Sequence, residues 1–310
     1  MINFKTIFCL FCFFSVIILP LMAAESSSNV QVALPSDSKI TIRWVMPPNE
    51  NAKKNQHNLR FSVGPDKSPW IGISNKYLIN PVRRYFIKLS NSYKDLIQLD
   101  NGALFISTPT EFGFIVQNKQ NKQTPVASFQ PISRLPIPGC RMFKGADNCV
   151  YFSGLNKTTS KYEVYLLKPE NLSLNDMNIK TLKGYSKIFS GSAKVYAVSG
   201  DGNVSFISIG NTILRIPKIG DIPEIIFSHP YETITQFQYN KQSGLFYSTR
   251  NKVGYIGKNG QLEFFKGKSP QISLSGKTLY IFCEKDFGIL AFDHIDDLSG
   301  INLRITGNSL

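Results

Sequence analysis

The chain has three histidines, and their surroundings bound most of the chemistry it could support. His57 sits in a polar loop, PPNENAKKNQHN, that has no hydrophobic period. His229 precedes Pro230, a turn setting. His294 lies in FDHIDD beside Asp293, Asp296 and Asp297. That acidic group resembles a cation site, because oxygen-rich clusters bind Ca²⁺. It lacks the glycine hinge of a D-x-D-x-D-G loop, so a solvated turn is the expectation. No two histidines stand at a spacing that would hold zinc. A serine hydrolase needs its nucleophile on a strained turn, and no G-x-S-x-G occurs; GYSKI and SGSAK do not match. There is no P-loop and no G-x-G-x-x-G. GDGN at 200–203 looks like a phosphate or calcium loop but reads first as a hairpin turn. The sequence therefore assigns no catalytic residue, no cofactor or cofactor-binding residue, and no metal ligand.

The reactivity of the five cysteines depends on the compartment, and the first 24 residues indicate one. Lys5 is the one charge before Glu25, and Ile7 to Ala24 reads IFCLFCFFSVIILPLMAA. A basic start, an apolar middle and small residues at Ala23 and Ala24 make a secretory signal peptide over residues 1–24. The expectation is an exported protein, periplasmic or secreted. The cleavage box is imperfect, with Leu21 or Met22 where a small residue is preferred. The alternative is a membrane anchor formed by residues 7–24, at the lower limit of a span and the only membrane contact expected. Cys9 and Cys12 belong to this leader. Of the others, Cys140 and Cys149 enclose RMFKGADN, a strand-turn-strand pattern. Cysteines facing each other across a hairpin can meet disulfide geometry, so a Cys140–Cys149 bridge is expected. Cys283, in LYIFC, reads as a small core residue.

Charge points to a class of partner. The chain carries 35 Lys+Arg against 21 Asp+Glu, a net +14, and removing a leader that holds Lys5 barely changes the excess. The lysines are scattered through turns. A field of this sign favours anionic partners, such as lipid headgroups or acidic glycans. Nucleic acid is not expected, because an exported chain without a basic helix or a stacking motif lacks the means to read it.

The elements that would position these residues are short. At 42% hydrophobic and 12% aromatic, the 310-residue chain can bury a large core. Residues 25–38 are polar and expected to be flexible; residues 39–310 read as one domain. Ile40, Ile42, Trp44 and Met46 alternate as in a half-buried strand. From residue 59 onward the apolar runs are four to eight residues long and separated by Gly, Asn, Asp, Ser and Pro, an all-β signature. Five segments open with an aliphatic and an aromatic residue, recurring roughly every 34 to 50 residues. Their aromatics are Phe105, Tyr151, Tyr196, Phe246 and Tyr280. Eight residues after three of these comes a glycine among apolar residues: Gly113, Gly254 and Gly288. A short strand ending in a turn precedes each pair. An earlier, degenerate copy runs LRFSVGPDKSPWIGIS.

A repeated four-stranded antiparallel unit of this length resembles β-propeller domains in general, over about residues 40–305. The resemblance implies a ring of about six four-stranded blades, with five or seven as alternatives, because one blade cannot bury both of its faces alone. No WD dipeptide, kelch double glycine or quinone-binding signature narrows it to a specific family. The function expected is a non-enzymatic binding or scaffold protein of the cell envelope, holding an envelope protein or an anionic surface glycan or lipid by its rim loops or central mouth. The alternative is an exported propeller enzyme, of the metal-dependent hydrolase or lactonase type, with its site in the central channel.

Overall fold

Runs of four to nine residues bounded by turn formers have one economical use, which is short antiparallel strands joined by hairpins. The computed structural model describes residues 30–49, 58–89, 91–118, 126–168 and 184–300. The expected leader and His57 lie outside them. Two strands come first, β1 (Gln31–Val32) and β2 (Thr41–Met46). Blade 1 is β3 (Arg60–Val63), β4 (Pro69–Ile73), β5 (Tyr77–Asn80) and β6 (Tyr85–Lys88). Blade 2 is β7 (Asp95–Gln98), β8 (Leu104–Ser107), β9 (Glu111–Asn118) and β10 (Val126–Arg134). Blade 3 is β11 (Arg141–Lys144), β12 (Val150–Asn156), β13 (Lys161–Leu167) and β14 (Ser186–Gly191). Blade 4 is β15 (Val195–Gly200), β16 (Ser205–Ile209), β17 (Thr212–Ile216) and β18 (Glu224–Ser228). Blade 5 is β19 (Gln236–Asn240), β20 (Gly244–Ser248), β21 (Lys252–Gly257) and β22 (Gly260–Lys266). Blade 6 is β23 (Pro270–Ser275), β24 (Thr278–Cys283) and β25 (Gly288–Asp293), with β2 as its fourth strand.

The chain is a six-bladed β-propeller. The first strand of each blade lies innermost and touches the first strand of the next, and β23 meets β3 to close the ring. The covalent start and end are joined in blade 6, where Thr41 of β2 pairs with Asp293 and Met46 with Ile289 of β25. Ile42 and Trp44 are half-exposed because β2 is the outermost strand there. Within the segment expected to be flexible, β1 adds a fifth strand to blade 5, Val32 opposite Phe265. Six hydrophobic clusters fill the described residues, one between each pair of neighbouring blades. The ring thus supplies what a single blade lacks, a cover for each of its faces.

Pairing register defines the repeat more sharply than the sequence does. At one level of the ring, a first-strand residue faces a large aromatic on the second strand. The pairs are Ser62–Trp70, Ile97–Phe105, Phe143–Tyr151, Ser199–Phe206, Gln238–Phe246 and Ser273–Tyr280. Phe105, Tyr151, Phe246 and Tyr280 occupy equivalent positions and are fully buried. Tyr196 does not share that position. It lies on β15, the first strand of blade 4, at a register shift between Val195 and Ala197 that leaves it out of the pairing. Its ring is partly exposed with the Lys194 ammonium 4.7 Å above it, and Phe206 holds the blade 4 position. Gly113 and Gly254 are equivalent, facing Ile106 and Tyr247, the residues after the aromatic. Gly288 faces Cys283, and Leu290 holds that level in blade 6. A Cβ at Gly113 would fall 2.0 Å from the Gln130 carbonyl oxygen, so backbone approach alone requires glycine there.

The expected Cys140–Cys149 disulfide is absent, and the hairpin register explains why. β11 pairs with β12 so that Arg141 faces Ser153 and Lys144 faces Val150. Extending that register puts Cys140 opposite Gly154 and Cys149 opposite Gly145, at opposite ends of the hairpin. Each cysteine packs on a glycine: a Cβ on Gly154 would lie 2.9 Å from that of Cys140, and one on Gly145 3.0 Å from that of Cys149. Five residues of strand, about 16 Å, separate the two ends. Cys140, Cys149 and Cys283 are free and buried. Burial pushes the thiols of Cys140 and Cys149 up to about 11 and that of Cys283 up to about 12.

Candidate functional site: the channel mouth

The six first strands leave their inward edges without a sheet partner, and unpaired backbone groups there must find other acceptors and donors. Side chains of neighbouring blades supply them. Ser62 Oγ accepts from Gln98 N, and Ser273 Oγ accepts from Val63 N, both at 2.8 Å. Gln236 Oε1 accepts from Ile272 N at 2.8 Å, and Asp95 Oδ2 from Met142 N at 3.0 Å. Polar residues on these strands are therefore part of how the ring is stitched.

The end of the channel where the first strands begin is called upper here. Arg60, Asp95, Arg141 and Gln236 head four of those strands and Gln271 is second in β23, while blade 4 offers Ala197. Asp95 is 2% exposed and is the anchor of the group. Arg141 donates from Nε to its Oδ1 at 2.7 Å, and Arg60 donates from Nε to the same oxygen at 3.3 Å. Arg60 also donates from Nε to the Lys94 carbonyl and from Nη1 to the Leu59 carbonyl, at 3.0 and 2.9 Å. The Arg141 guanidinium lies 5.4 Å over the Phe143 ring and is nearly half-exposed. Gln271 donates from Nε2 to the Leu59 carbonyl and to Glu284, which sits in the turn after β24. Burial raises the Glu284 pKa above the usual carboxylate value, against the pull of Gln271 and Arg60. One polar chain thus runs across blades 6, 1, 2 and 3, and its members Gln271, Arg60, Asp95 and Arg141 line a cavity of about 60 Å³.

Lys144 closes this space from below. Its side chain is 6% exposed and reaches across the channel from blade 3. Its ammonium donates to the carbonyls of Val63 in blade 1 and Leu274 in blade 6, at 3.2 and 3.3 Å, and pairs with Asp100 at 2.9 Å. Three donors meet three acceptors, which a buried ammonium requires. On its other side lies a second chamber of about 220 Å³, lined by Asp100, Asp147, Tyr239 and Asn240 among others.

The residues singled out from sequence lie elsewhere. His229 is buried between blades 4 and 5. Its Nδ1 accepts from the backbone N–H groups of Tyr231 and Glu232, so Nε2 carries the proton and donates to Glu263 at 2.9 Å. His294 is exposed in a left-handed conformation at φ 62°. Its acidic neighbours are each engaged separately: Asp293 by Arg43 and Thr278, Asp296 by Lys277, Asp297 by the Lys39 amide. GDGN forms the turn between β15 and β16, where Asp201 Oδ1 accepts from the amides of Asn203 and Val204. The signal the sequence reading missed is the polar residue heading the first strand of most repeats, visible in LRFSV, DLIQL, RMFK, QFQYN and QISLS.

A cation at the upper mouth fits these residues poorly. Among the described residues no three His, Cys, Asp or Glu gather as a metal ligand set. Asp95, the buried carboxylate at the mouth, already accepts from two guanidinium groups and an amide, and those two positive charges would repel a metal ion.

No protein-family model matches the sequence, and no curated protein does. Solved structures do resemble it. A gluconolactonase from Xanthomonas campestris is similar with a TM-score of 0.55 at 8% identity, over 85% of this chain and 94% of that one. A calcium-binding protein, regucalcin, from Agrobacterium tumefaciens gives 0.52 at 11% identity, over 80% and 93%. The PQQ-bound form of an aldose sugar dehydrogenase from Streptomyces coelicolor gives 0.54 at 11% identity, over 82% and 98%. At such identities the likeness establishes the propeller fold that the strand order and ring closure already display.

Proposed function

We propose that the protein acts on a small, oxygen-rich molecule at the upper mouth of its channel and turns it over by acid–base chemistry. The observation that carries this reading is Glu284, a carboxyl behind the mouth's edge, held by Gln271 and felt by Arg60, both of which line the mouth. A carboxyl whose pKa is raised by burial suits general acid–base work. The comparisons weigh the same way, since two of the similar structures are a lactonase and a sugar dehydrogenase. They favour the enzyme alternative over the scaffold. Its metal-dependent form finds no donor set at this mouth, so the chemistry rests on the chain's own groups. For a lactone, Glu284 would take a proton from water as the water oxygen bonds to the carbonyl carbon. The ring C–O bond breaks and the proton passes to the departing oxygen, with an arginine facing the developing negative charge.

The test is a pH-indicator assay of the purified protein against δ-gluconolactone and a panel of other lactones. Turnover of at least one, reduced about 10²- to 10⁴-fold in Glu284→Gln, supports the reading. Ring opening that Glu284→Gln leaves unchanged, or none with any lactone, contradicts it.

The scaffold reading keeps one observation in its favour. The outer edge of blade 4 presents Ile222 and Tyr231, 86% and 91% exposed, beside Ile219 and Ile225. Blade 5 shows how such an edge is used, for β1 pairs on it as an added strand. An extended segment of an envelope protein could add to β18 in the same way. Glu substitutions at Ile222 and Ile225 would abolish capture of such a partner from envelope extracts, and capture unchanged by them would dismiss this edge. Export itself is part of the proposal, and N-terminal sequencing should find Ala24 or Glu25 first; an intact Met1 would favour the anchor.

A further inference from the structure

We infer that the upper mouth recognises its ligand through a carboxylate group, received between the outward-facing nitrogens of Arg141 and Arg60. This deepens the reading of the mouth as a ligand site and depends on it, but not on turnover. Both arginines spend Nε on one oxygen of Asp95. Arg60 spends Nη1 on the Leu59 carbonyl. Among the described residues Arg141 makes no further hydrogen bond, so both of its Nη groups are left to a ligand, and Nη2 of Arg60 is left as well. The anchor matters as much as the free donors. A guanidinium fixed through Nε by a buried carboxylate, with the Phe143 ring against its face, is already ordered, so little side-chain entropy is lost when a ligand arrives.

Charge selects the ligand's sign. The cavity is lined by three cationic side chains, Arg60, Arg141 and Lys144, against one carboxylate, Asp95, so the mouth is positive. Guanidinium donors present a planar fork that matches a planar carboxylate with two parallel N–H···O bonds. The cavity of about 60 Å³ admits a head group, not a whole sugar, so the rest of the ligand would extend upward over Gln271 and Glu284. That places the ligand's carboxylate on the Arg141 side and its reacting bond on the Glu284 side, the two ends of the polar chain.

Calorimetric titration of the full protein with succinate, its dimethyl ester and inorganic phosphate tests this. Expected are succinate binding that weakens as salt is raised, no binding of the ester, and at least a tenfold loss in Arg141→Gln. Arg141→Lys, which keeps the charge but not the fork, should recover part of the affinity. Lys218→Gln, a change on the exposed rim of blade 4, should change nothing, and the melting temperature of each variant reports whether it folds. Phosphate binding more tightly than succinate would replace the carboxylate by a tetrahedral oxyanion and overturn the inference. Equal losses in Arg141→Gln and Lys218→Gln would show diffuse attraction to a basic surface and overturn it too. Binding of the ester without succinate would do the same while leaving the mouth as a site. Succinate binding that survives in Glu284→Gln, with lactone turnover lost, would separate recognition from chemistry.

Discussion

Lys144 and Glu284 illustrate two fates of a charged group inside a ring. Lys144 is fully satisfied and ties blade 3 to blades 1, 2 and 6. Lys144→Met would strip two buried carbonyls of their donor, a loss of about 1–3 kcal/mol, measurable by urea denaturation. Glu284 carries a raised pKa, so the folded state binds its proton more tightly than the unfolded chain does. The sign follows by linkage: stability falls as pH rises from the ordinary carboxylate value through the raised one. Glu284→Gln should therefore be at least as stable as wild type at pH 7, with its advantage shrinking below about pH 4. Melting curves at the two pH values check this. The cysteines give a third outcome. With thiols displaced upward by burial, a chain lacking residues 1–24 should show no reaction with a thiol reagent when native and three reactive groups when denatured. Of these roles only that of Cys283, a small core residue in LYIFC, was legible in the sequence. A lysine in RMFK looks like any strand-end lysine until the ring brings Val63 and Leu274 to the same level.

Strands explain where the repeat reading succeeded and where it slipped. An aliphatic–aromatic start marks a strand buried on both faces, and in blades 2, 3, 5 and 6 that strand is the second. In blade 4 the same signature, KVYAVSG, opens the first strand, because first strands here are also buried on both sides. Burial pattern alone does not distinguish the two, and only pairing register puts Phe206 rather than Tyr196 opposite Ser199. The energetic consequence is direct. Phe206→Ala should cost about 3–5 kcal/mol, whereas Tyr196→Ala, on a partly exposed bulge, should cost under about 1 kcal/mol. Chemical denaturation of both variants decides it, and a reversed order would contradict the register. The same logic separated the two cysteines. RMFKGADN was correctly a hairpin, but a hairpin brings together residues equidistant from its turn, and Cys140 and Cys149 are not.

The ring was the most legible feature, because six similar units each needing a neighbour leave few other architectures. Its closure was less so. β2 looked like an ordinary half-buried strand, and nothing in KITIRWVM tells that it completes the last blade beside β25. A chain beginning at residue 47 would leave β25 as an open edge and uncover Gly288 where Trp44 packs; it should lose the single cooperative melting transition of the whole. The mouth emerges at this level as well, since Arg60, Asp95, Arg141, Gln271 and Glu284 come from distant points in the sequence and meet because the first strands converge. The most direct test of that convergence as a working site is a crystal structure of the protein soaked with 4-bromobenzoate, whose bromine is located by its anomalous signal. The carboxylate should lie within about 3 Å of the free nitrogens of Arg141, with the bromine pointing out of the upper mouth towards Glu284. Bromine sites confined to the outer surface or to the chamber below Lys144, with the upper mouth left to solvent, would contradict the account.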